Sequence, residues 1–121
     1  MYRTKFQNAT RTKNKYNARG QEYNGRWYHS AKEARYAEEL DWLIKSGDIL
    51  EVKPQARIDI KVNGIHWRNY ACDFRVVTKD GTIQYHEVKG FATEEWKMKW
   101  DLLHILKDEI LEPGAELVLI K

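Results

Sequence analysis

Two dipeptides typical of hairpin turns, Asn63-Gly64 and Asp80-Gly81, divide the middle of the chain into three strand-like segments. Both dipeptides tolerate the positive backbone torsion angles that tight turns between antiparallel strands require. Each turn therefore predicts that the segments on its two sides pair with one another. The predicted strands are residues 50–62, 65–77 and 82–89, and in the first of them Ile58, Ile60 and Val62 recur at period two on one face.

Helical patterns flank this meander on both sides. A first helix is predicted to start after the N-cap residue Ser30 and to stop at Gly47. A second helix, capped by Thr93, is predicted over residues 94–110, and a closing strand over residues 116–120. The order helix, three strands, helix, strand predicts a mixed α/β (α+β) fold, in which the helices cover the faces of the sheet.

Positive charge is concentrated at the start of the chain. Residues 1–28 contain seven basic residues and one acidic residue, a net charge of +6, whereas the remainder has a net charge of −3. We interpret residues 1–14 as a flexible basic arm and residues 15–121 as one domain, composed of a hairpin over 15–29 and a core over 30–121. The arm either contacts nucleic acid or is a solvated terminus. The candidate DNA-binding residues of this basic region are Arg3, Lys5, Arg11 and Lys13 in the arm, and Lys15 and Arg19 in the hairpin.

Composition argues against several classes of protein. Because Cys72 is the single cysteine, the sequence excludes an intrachain disulfide framework and a cysteine-based zinc site. No apolar run approaches the roughly 20 residues that span a bilayer, and the N-terminus lacks the apolar stretch of a signal peptide. We therefore expect a cytoplasmic protein without a membrane partner. Cys72 itself is expected to be a small buried residue.

Three charged residues of the meander are the leading candidates for chemistry. Asp73 lies near the end of the second predicted strand, and Glu87 and Lys89 lie at the end of the third. Counting outward from the turn pairs Val77 roughly with Gln84, which places Asp73 near residues 86–88. Period two also puts Glu87 and Lys89 on one face.

Two neighbouring carboxylates repel one another unless a cation lies between them. Hard oxygen ligands favour Mg²⁺ or Mn²⁺, which also bind water and substrate phosphate oxygens. Asp73 and Glu87 therefore predict a metal site. Lys89 would position or deprotonate an attacking water, or stabilise the charge of the transition state. His86, which alternates with Glu87, is expected to face the other side of the sheet.

A Glu-x-Lys triplet alone carries little information, since 32% of the chain is charged and Glu51-Val52-Lys53 is a second example. Such a triplet is usually a solvent-exposed ion pair on a strand. Here its context is informative, because an Asp-Phe pair lies one hairpin away and a glycine and a helix follow the strand. The elements in question are Ser30-Ala31-Lys32-Glu33-Ala34, Gly47-Asp48-Ile49, Gln55, Asp73-Phe74 and Glu87-Val88-Lys89-Gly90.

These elements resemble the PD-(D/E)XK nuclease superfamily over about residues 28–121. Within it, they resemble small phage-encoded nuclease-like proteins and phage junction-resolving endonucleases. One departure is that Cys72 stands where the superfamily name has proline. The resemblance implies a restriction-endonuclease-like core, one or two Mg²⁺ or Mn²⁺ ions bound by Asp73 and Glu87, and the Val88 carbonyl as a further ligand. It also implies that Lys89 is catalytic.

The same resemblance implies hydrolysis of phosphodiester bonds in DNA, leaving a 5′-phosphate and a 3′-hydroxyl. The expected substrate is branched DNA, such as a Holliday junction or another recombination or replication intermediate. Resolution of a junction needs two coordinated cuts and therefore implies a homodimer. If the chain is phage-encoded, it would act in the host cytoplasm. The alternatives are a non-catalytic nucleic-acid-binding module with the same fold, and a structural or adaptor protein.

Several residues have competing explanations. Glu33 matches a helix carboxylate of the metal site in some relatives, but Ser30 to Glu33 is also a capping box. Gln55 either contacts the site or DNA, or lies on an exposed strand edge. Lys97 lies one turn beyond the Gly90 loop and is a candidate phosphate contact. Trp96, Trp100 and Leu103 are spaced as the core-facing stripe of a helix.

Overall fold

The hairpins and helices follow the turn and cap residues of the sequence. The computed structural model of the chain describes residues 20–121, so the predicted arm over 1–14, the first residues of the predicted hairpin over 15–29, and the six candidate DNA-binding residues before Gly20 lie outside the described part. The elements are β1 (Gln21–Tyr23), β2 (Arg26–Tyr28), α1 (Ala31–Ser46), β3 (Ile49–Val62), β4 (Ile65–Thr78), β5 (Ile83–Val88), α2 (Glu94–Ile110) and β6 (Glu116–Ile120).

Strands β3 to β6 form one sheet in the order β3-β4-β5-β6, and β1 and β2 form a separate hairpin. The first three strands of the sheet are antiparallel neighbours, whereas β6 pairs parallel to β5. A parallel neighbour requires a crossover connection, which α2 supplies. The predicted mixed fold and its order of elements are therefore confirmed. Neither helix in residues 20–121 is long and apolar enough to cross a membrane.

The ends of α1 show why the helix forms where the sequence predicts it. The Ser30 Oγ atom accepts a hydrogen bond from the Glu33 backbone N–H at 3.0 Å, which satisfies one of the free donors at the helix N-terminus. Gly47 has a φ of 84°, a left-handed conformation that suits glycine, and its N–H donates to the Ile44 carbonyl at 3.0 Å. Both predicted boundaries are confirmed.

The core has two clusters, one beneath each helix, and the β3–β4 hairpin takes part in both. Tyr70 and Cys72 belong to the cluster that packs against α2, while Phe74 and Val76 belong to the cluster that packs against α1. The hairpin therefore changes the helix that it packs against at Asp73. The opposite position on β3 is Gln55, whose φ of 53° is unusual for a residue within a strand.

One detail of the predicted strands is wrong. Val77 pairs with Ile83 rather than Gln84, because a hydrogen bond from Thr78 N to Thr82 O at 2.8 Å closes a turn with an odd number of residues. Val62, next to the turn, is 40% exposed, whereas Ile58 and Ile60 are buried. The pairing register shifts between Ile60 and Lys61, which marks a β-bulge.

The α2 side of the core predicts a large stability effect at Leu103, which has no exposed surface. We expect Leu103→Ala to lower the free energy of unfolding by about 2–5 kcal/mol, because it leaves a cavity against the sheet. On the same helix, Ile105 is 76% exposed, so Ile105→Ala should change it by less than about 0.5 kcal/mol. Chemical denaturation of both variants tests this placement, and equal losses would contradict it.

Candidate functional site

Asp73 and Glu87 meet at the place where β4 and β5 separate. The last paired residues of these strands are Phe74 and His86, so Asp73 and Glu87 are the next residues along each strand. The Val88 N–H donates to Asp73 Oδ2 at 2.8 Å, and the Asp73 N–H approaches Glu87 Oε1 at 3.4 Å. Each carboxylate is thus oriented by the backbone of the opposite strand, and the predicted proximity of the two residues is confirmed.

Glu33 adds a third carboxyl group, from the first turn of α1. Its backbone takes part in the helix cap with Ser30, while its side chain interacts with Asp73 and with the backbone of His29. Glu33 is 4% exposed, and within the described part of the chain its Oε2 atom is buried with no hydrogen-bond partner. The backbone half of the capping box is therefore present, and the carboxyl group lies at the site formed by Asp73 and Glu87.

The proximity of three buried carboxyl groups disfavours their charged forms. Burial raises the pKa of Glu33 to about 8, and the charge of Asp73 contributes to this rise. Burial and the charge of Asp73 likewise raise the pKa of Glu87 to about 7. Burial also raises the pKa of Asp73, against the opposing effects of the Val88 N–H and of Lys89. A bound cation would remove this repulsion, and without one the site retains protons near neutral pH.

Lys89 lies beside the carboxylates and is held from two sides. Its Nζ atom is 3.8 Å from Glu87 Oε2 and lies 5.1 Å from the centre of the Trp96 ring. The positive charge of Lys89 opposes the rise in pKa that burial causes at both Asp73 and Glu87. Because 30% of the side chain is exposed, the ammonium group faces both the buried carboxylates and the solvent.

Sequence reasoning missed two aromatic residues that support the site. The Trp96 indole N–H donates to the Tyr70 hydroxyl at 2.8 Å, and a hydrogen bond with Tyr70 lowers the pKa of Glu87. Trp96 also packs against the α2 side of the core, as its spacing predicts. Its contact with Lys89 and its bond to Tyr70 depend on how α2 lies on the sheet, and no motif within the chain indicates them.

The donors at this site fit a hard divalent cation. Within residues 20–121, no group of three or more His, Cys, Asp or Glu side chains already surrounds a common point as a metal site does. Mg²⁺ does not require such a cage, since it commonly binds through one or two carboxylates and completes its shell with water and phosphate oxygens. The unpartnered Glu33 Oε2 atom and the raised carboxyl pKa values are the features expected where a cation belongs.

The remaining candidates are Gln55, Lys97 and the Val88 carbonyl. Gln55 is exposed, and its side-chain oxygen accepts a hydrogen bond from Arg26 Nη1 at 3.2 Å, which links β3 to the β1–β2 hairpin. Lys97 is exposed on α2 and forms an ion pair with Glu94 at 3.4 Å. The roles of Gln55 and Lys97 in binding DNA, and of the Val88 carbonyl in binding metal, stay predictions.

Two residues behave as the sequence indicates. His86 faces away from Glu87, and its Nδ1 atom lies 2.6 Å from the Tyr36 hydroxyl on α1. Cys72 has no exposed surface, and burial raises the pKa of its thiol, so the reactive thiolate is suppressed. Neither residue is available as a nucleophile or as a metal ligand at the carboxylate site.

The raised carboxyl pKa values predict that the metal-free protein loses stability as the pH rises. A Glu33 carboxyl group with a pKa of about 8 binds its proton more tightly folded than unfolded, where a pKa near 4.5 is expected. The stability that this bound proton contributes is fully present below the pKa of the carboxyl group in the unfolded chain, and it is lost as the pH rises through about 8. In chelator-treated protein, we expect the free energy of unfolding to fall by on the order of 1 kcal/mol between about pH 7 and pH 8.5.

Glu33→Gln provides the control, since the amide carries no charge at any pH in this window. The fall in stability with pH should be shallower in that variant than in the wild type. His86 has little effect in this window, because burial lowers its pKa to about 4 in the folded state and most of it is also neutral in the unfolded state above pH 7. Parallel curves for the two proteins would show that the Glu33 carboxyl group does not retain a proton in the folded state.

A comparison with known families covers most of the chain. A family model described as "Protein of unknown function (DUF1064)" matches residues 13–110. The matched region includes Glu33, Asp73, Glu87 and Lys89, and therefore the whole carboxylate site. No curated protein and no solved structure matches the chain.

Proposed function

The chain belongs to the DUF1064 family of proteins of unknown function, and we propose that it is a DNA endonuclease dependent on Mg²⁺ or Mn²⁺. The observation that carries the proposal is the convergence of Glu33, Asp73 and Glu87, all largely buried, next to the Lys89 ammonium group. Burying three acids together costs stability, which a protein tolerates where the acids bind a cation. Lys89, whose side chain is 30% exposed, connects this buried group to the solvent.

Asp73 and Glu87 would hold one or two metal ions, with Glu33 and the Val88 carbonyl as further ligands. When bound, such an ion polarises the scissile phosphate and makes water more acidic. The Val88 N–H keeps the Asp73 carboxylate in place through its 2.8 Å hydrogen bond. Tyr70, itself held by Trp96, orients Glu87 in the same way. The hydrogen bonds to Asp73 and Glu87 thus fix the two ligands before the substrate arrives.

Lys89 is the residue that would act on the reacting atoms. Its ammonium group can donate a hydrogen bond to the attacking water, or to the phosphate oxygen on which negative charge develops. The Trp96 ring at 5.1 Å and Glu87 at 3.8 Å restrict the lysine to the side of the site that faces solvent. This restraint reduces the number of conformations that the lysine must give up in the transition state.

The finer fold assignment belongs to the same proposal. A helix, a three-strand antiparallel meander, a crossover helix and a parallel fourth strand are the order implied by a restriction-endonuclease-like core. Asp73 lies on β4, and the Glu87-Val88-Lys89 triplet lies at the end of the adjacent strand β5, which supports the resemblance to the PD-(D/E)XK pattern. We propose membership of that superfamily on this agreement of motif and topology.

Branched DNA is the proposed substrate, and its support is the resemblance to junction-resolving endonucleases. Resolution by two coordinated cuts would require a homodimer. A binding module without catalysis is the alternative, and the carboxylate cluster argues against it. Buried acids repel DNA phosphates unless a cation intervenes, so a surface selected only for binding would gain nothing from them.

A cleavage assay tests the proposal directly. The protein is incubated with duplex, single-stranded, flap and four-way DNA in the presence of Mg²⁺, Mn²⁺ or a chelator. We expect cleavage with Mg²⁺ or Mn²⁺ and none with the chelator, and preference for four-way DNA would support junction resolution. Salt-sensitive DNA binding without cleavage of any substrate would favour the binding module. The absence of both activities would favour a structural or adaptor role.

A further inference from the structure

The β3–β4 hairpin continues well beyond the site as a two-stranded ribbon, residues 56–72, which we call the distal ribbon. Strand β5 pairs with β4 only from Phe74 to Val77, so the part of β4 before Asp73 has left the four-stranded sheet. From Asp73 to the turn at Gly64 there are nine residues, a span of about 30 Å. This length approaches the 34 Å of one turn of duplex DNA.

One face of the distal ribbon packs on α2 and the other lies open. Ile58, Ile60 and Tyr70 are at most 7% exposed and belong to the core cluster beneath α2. On the opposite face, Arg57 and Asn69 are exposed. The helix therefore supports the part of the ribbon nearest the carboxylate site, whereas residues 61–69, on both sides of the turn, are exposed.

The charged side chains of the distal ribbon are mainly basic although the described part of the chain is acidic. Arg57 is exposed on the open face, and Lys61 and Arg68 are exposed nearer the turn. Arg68 pairs with Ile60 and therefore lies on the α2 side of the ribbon. Asp59 is the one acidic residue of the distal ribbon, and its carboxylate contacts Lys61 at 3.8 Å and His66 at 2.5 Å. The distal ribbon therefore has a net charge of +2, counting histidine as neutral. Residues 20–121 have 18 acidic residues against 15 basic ones, since six of the 21 basic residues precede Gly20.

A β-bulge places an aromatic side chain beside Arg68. Lys61 pairs with His66 and Ile60 pairs with Arg68, so Trp67 is the extra residue on β4. Its side chain is 45% exposed, and the Arg68 guanidinium group lies 5.1 Å from the ring centre. Bulges redirect side chains and increase strand twist, and here an exposed apolar ring lies next to an exposed cation near the end of the ribbon.

We infer that the distal ribbon binds the duplex arm of the DNA that flanks the cleaved bond. The inference rests on the proposed function, because it places the cleaved bond at the carboxylate site. A two-stranded ribbon fits the major groove, which is about 12 Å wide. Arg57 and Arg68 neutralise backbone phosphates, and Trp67 makes an apolar contact in the groove. The reach of the ribbon places these contacts within about nine base pairs of the cut.

DNA binding by the cleavage-deficient Asp73→Asn protein tests this inference. Fluorescence anisotropy is recorded with chelator present, on a duplex of about 24 base pairs, between about 50 and 200 mM salt. Replacing Arg57 and Arg68 with Gln should lower the slope of log affinity against log salt by about 1.8. Over this fourfold change in salt, the loss of affinity should then be about twelvefold smaller than in the parent. The matched control replaces Lys45 and Lys79, both exposed outside the ribbon, and should leave the slope unchanged.

Trp67→Ala separates the apolar contact from the charge. It should weaken binding about fivefold at each salt concentration without a change in slope, because no phosphate contact is lost. Trp67 is 45% exposed, and the other replaced residues are also exposed. We therefore expect melting temperatures close to the parent value.

The possible results distinguish failure of this inference from failure of the proposed function. If ribbon and control variants bind like the parent protein, the distal ribbon does not contact DNA and the inference is wrong. If the ribbon variants instead convert a dimeric parent to a monomer in sedimentation, with an unchanged salt slope, the surface binds a second copy. If the parent binds no DNA at any salt concentration, the proposed function itself is overturned, and the inference with it.

Discussion

Asp73→Asn is expected to reduce DNA cleavage at least about 1000-fold while leaving DNA affinity within about twofold. The amide lacks the negative charge that binds a divalent cation, so the ion that activates the phosphate is lost. The amide oxygen can still accept the hydrogen bond from the Val88 N–H, so the local structure should persist. Single-turnover cleavage and anisotropy on the same four-way DNA measure the two effects separately.

Stability provides a second readout for this variant. Removing the Asp73 charge relieves its repulsion with Glu33 and Glu87, so the metal-free variant should melt no lower than the wild type near neutral pH. The matched control is Asp101→Asn, which changes an exposed residue of α2 and should cut at the wild-type rate. Wild-type cleavage by Asp73→Asn would exclude the carboxylate site as the catalytic centre. If the variant did not fold, its loss of cleavage would not be evidence that Asp73 is a metal ligand.

The fold is predicted well by the sequence because its determinants are local. Asn63-Gly64 and the Ser30 and Gly47 caps act through backbone conformations that neighbouring residues alone decide. The errors occur where tertiary structure intervenes. The bulge at Trp67 shifts the pairing of β3 and β4, and no property of the neighbouring residues indicates where an extra residue will be accommodated.

The part of the site that lies on a single hairpin is predicted best. Asp73 and Glu87 become neighbours as soon as β4 and β5 pair, so counting from the turn brings them together. Glu33 comes from a separate helix, and its helix cap offers a sufficient local reason for its presence. Tyr70 reaches the same side as Glu87 only because the hairpin changes the helix that it packs against at Asp73, which no periodicity in the sequence shows.

Lys89→Ala is expected to lower kcat by about 100- to 1000-fold with little change in DNA affinity. The ammonium group lies next to the proposed ligands rather than on the exposed ribbon, so its loss affects the reaction more than binding. Lys97→Ala is the matched comparison, since Lys97 is exposed on α2, where it forms an ion pair with Glu94. As a phosphate contact, it should change the affinity and its salt dependence while kcat stays within about twofold.

The pH dependence distinguishes two ways in which Lys89 can act. Its charge lowers the pKa values of Asp73 and Glu87, so its removal should raise them. The carboxylates of Lys89→Ala then ionise at higher pH, and the acidic limb of the activity profile should move in that direction. If high pH restores full activity, the lysine acts only by keeping the metal ligands ionised, which contradicts a role at the reacting atoms.

Trp96 contributes to the site in two ways, because its ring contacts Lys89 and its N–H group donates to Tyr70. Trp96→Phe keeps an aromatic ring near Lys89 but removes the hydrogen bond to Tyr70, so it should lower activity by about tenfold through Glu87. Tyr70→Phe should then cause a similar loss, and the double variant should be little worse than either single one. If Lys89 depends on the ring for its position, Trp96→Leu should exceed both losses and approach that of Lys89→Ala. An equal loss in Trp96→Phe and Trp96→Leu would show instead that the ring does not position the lysine.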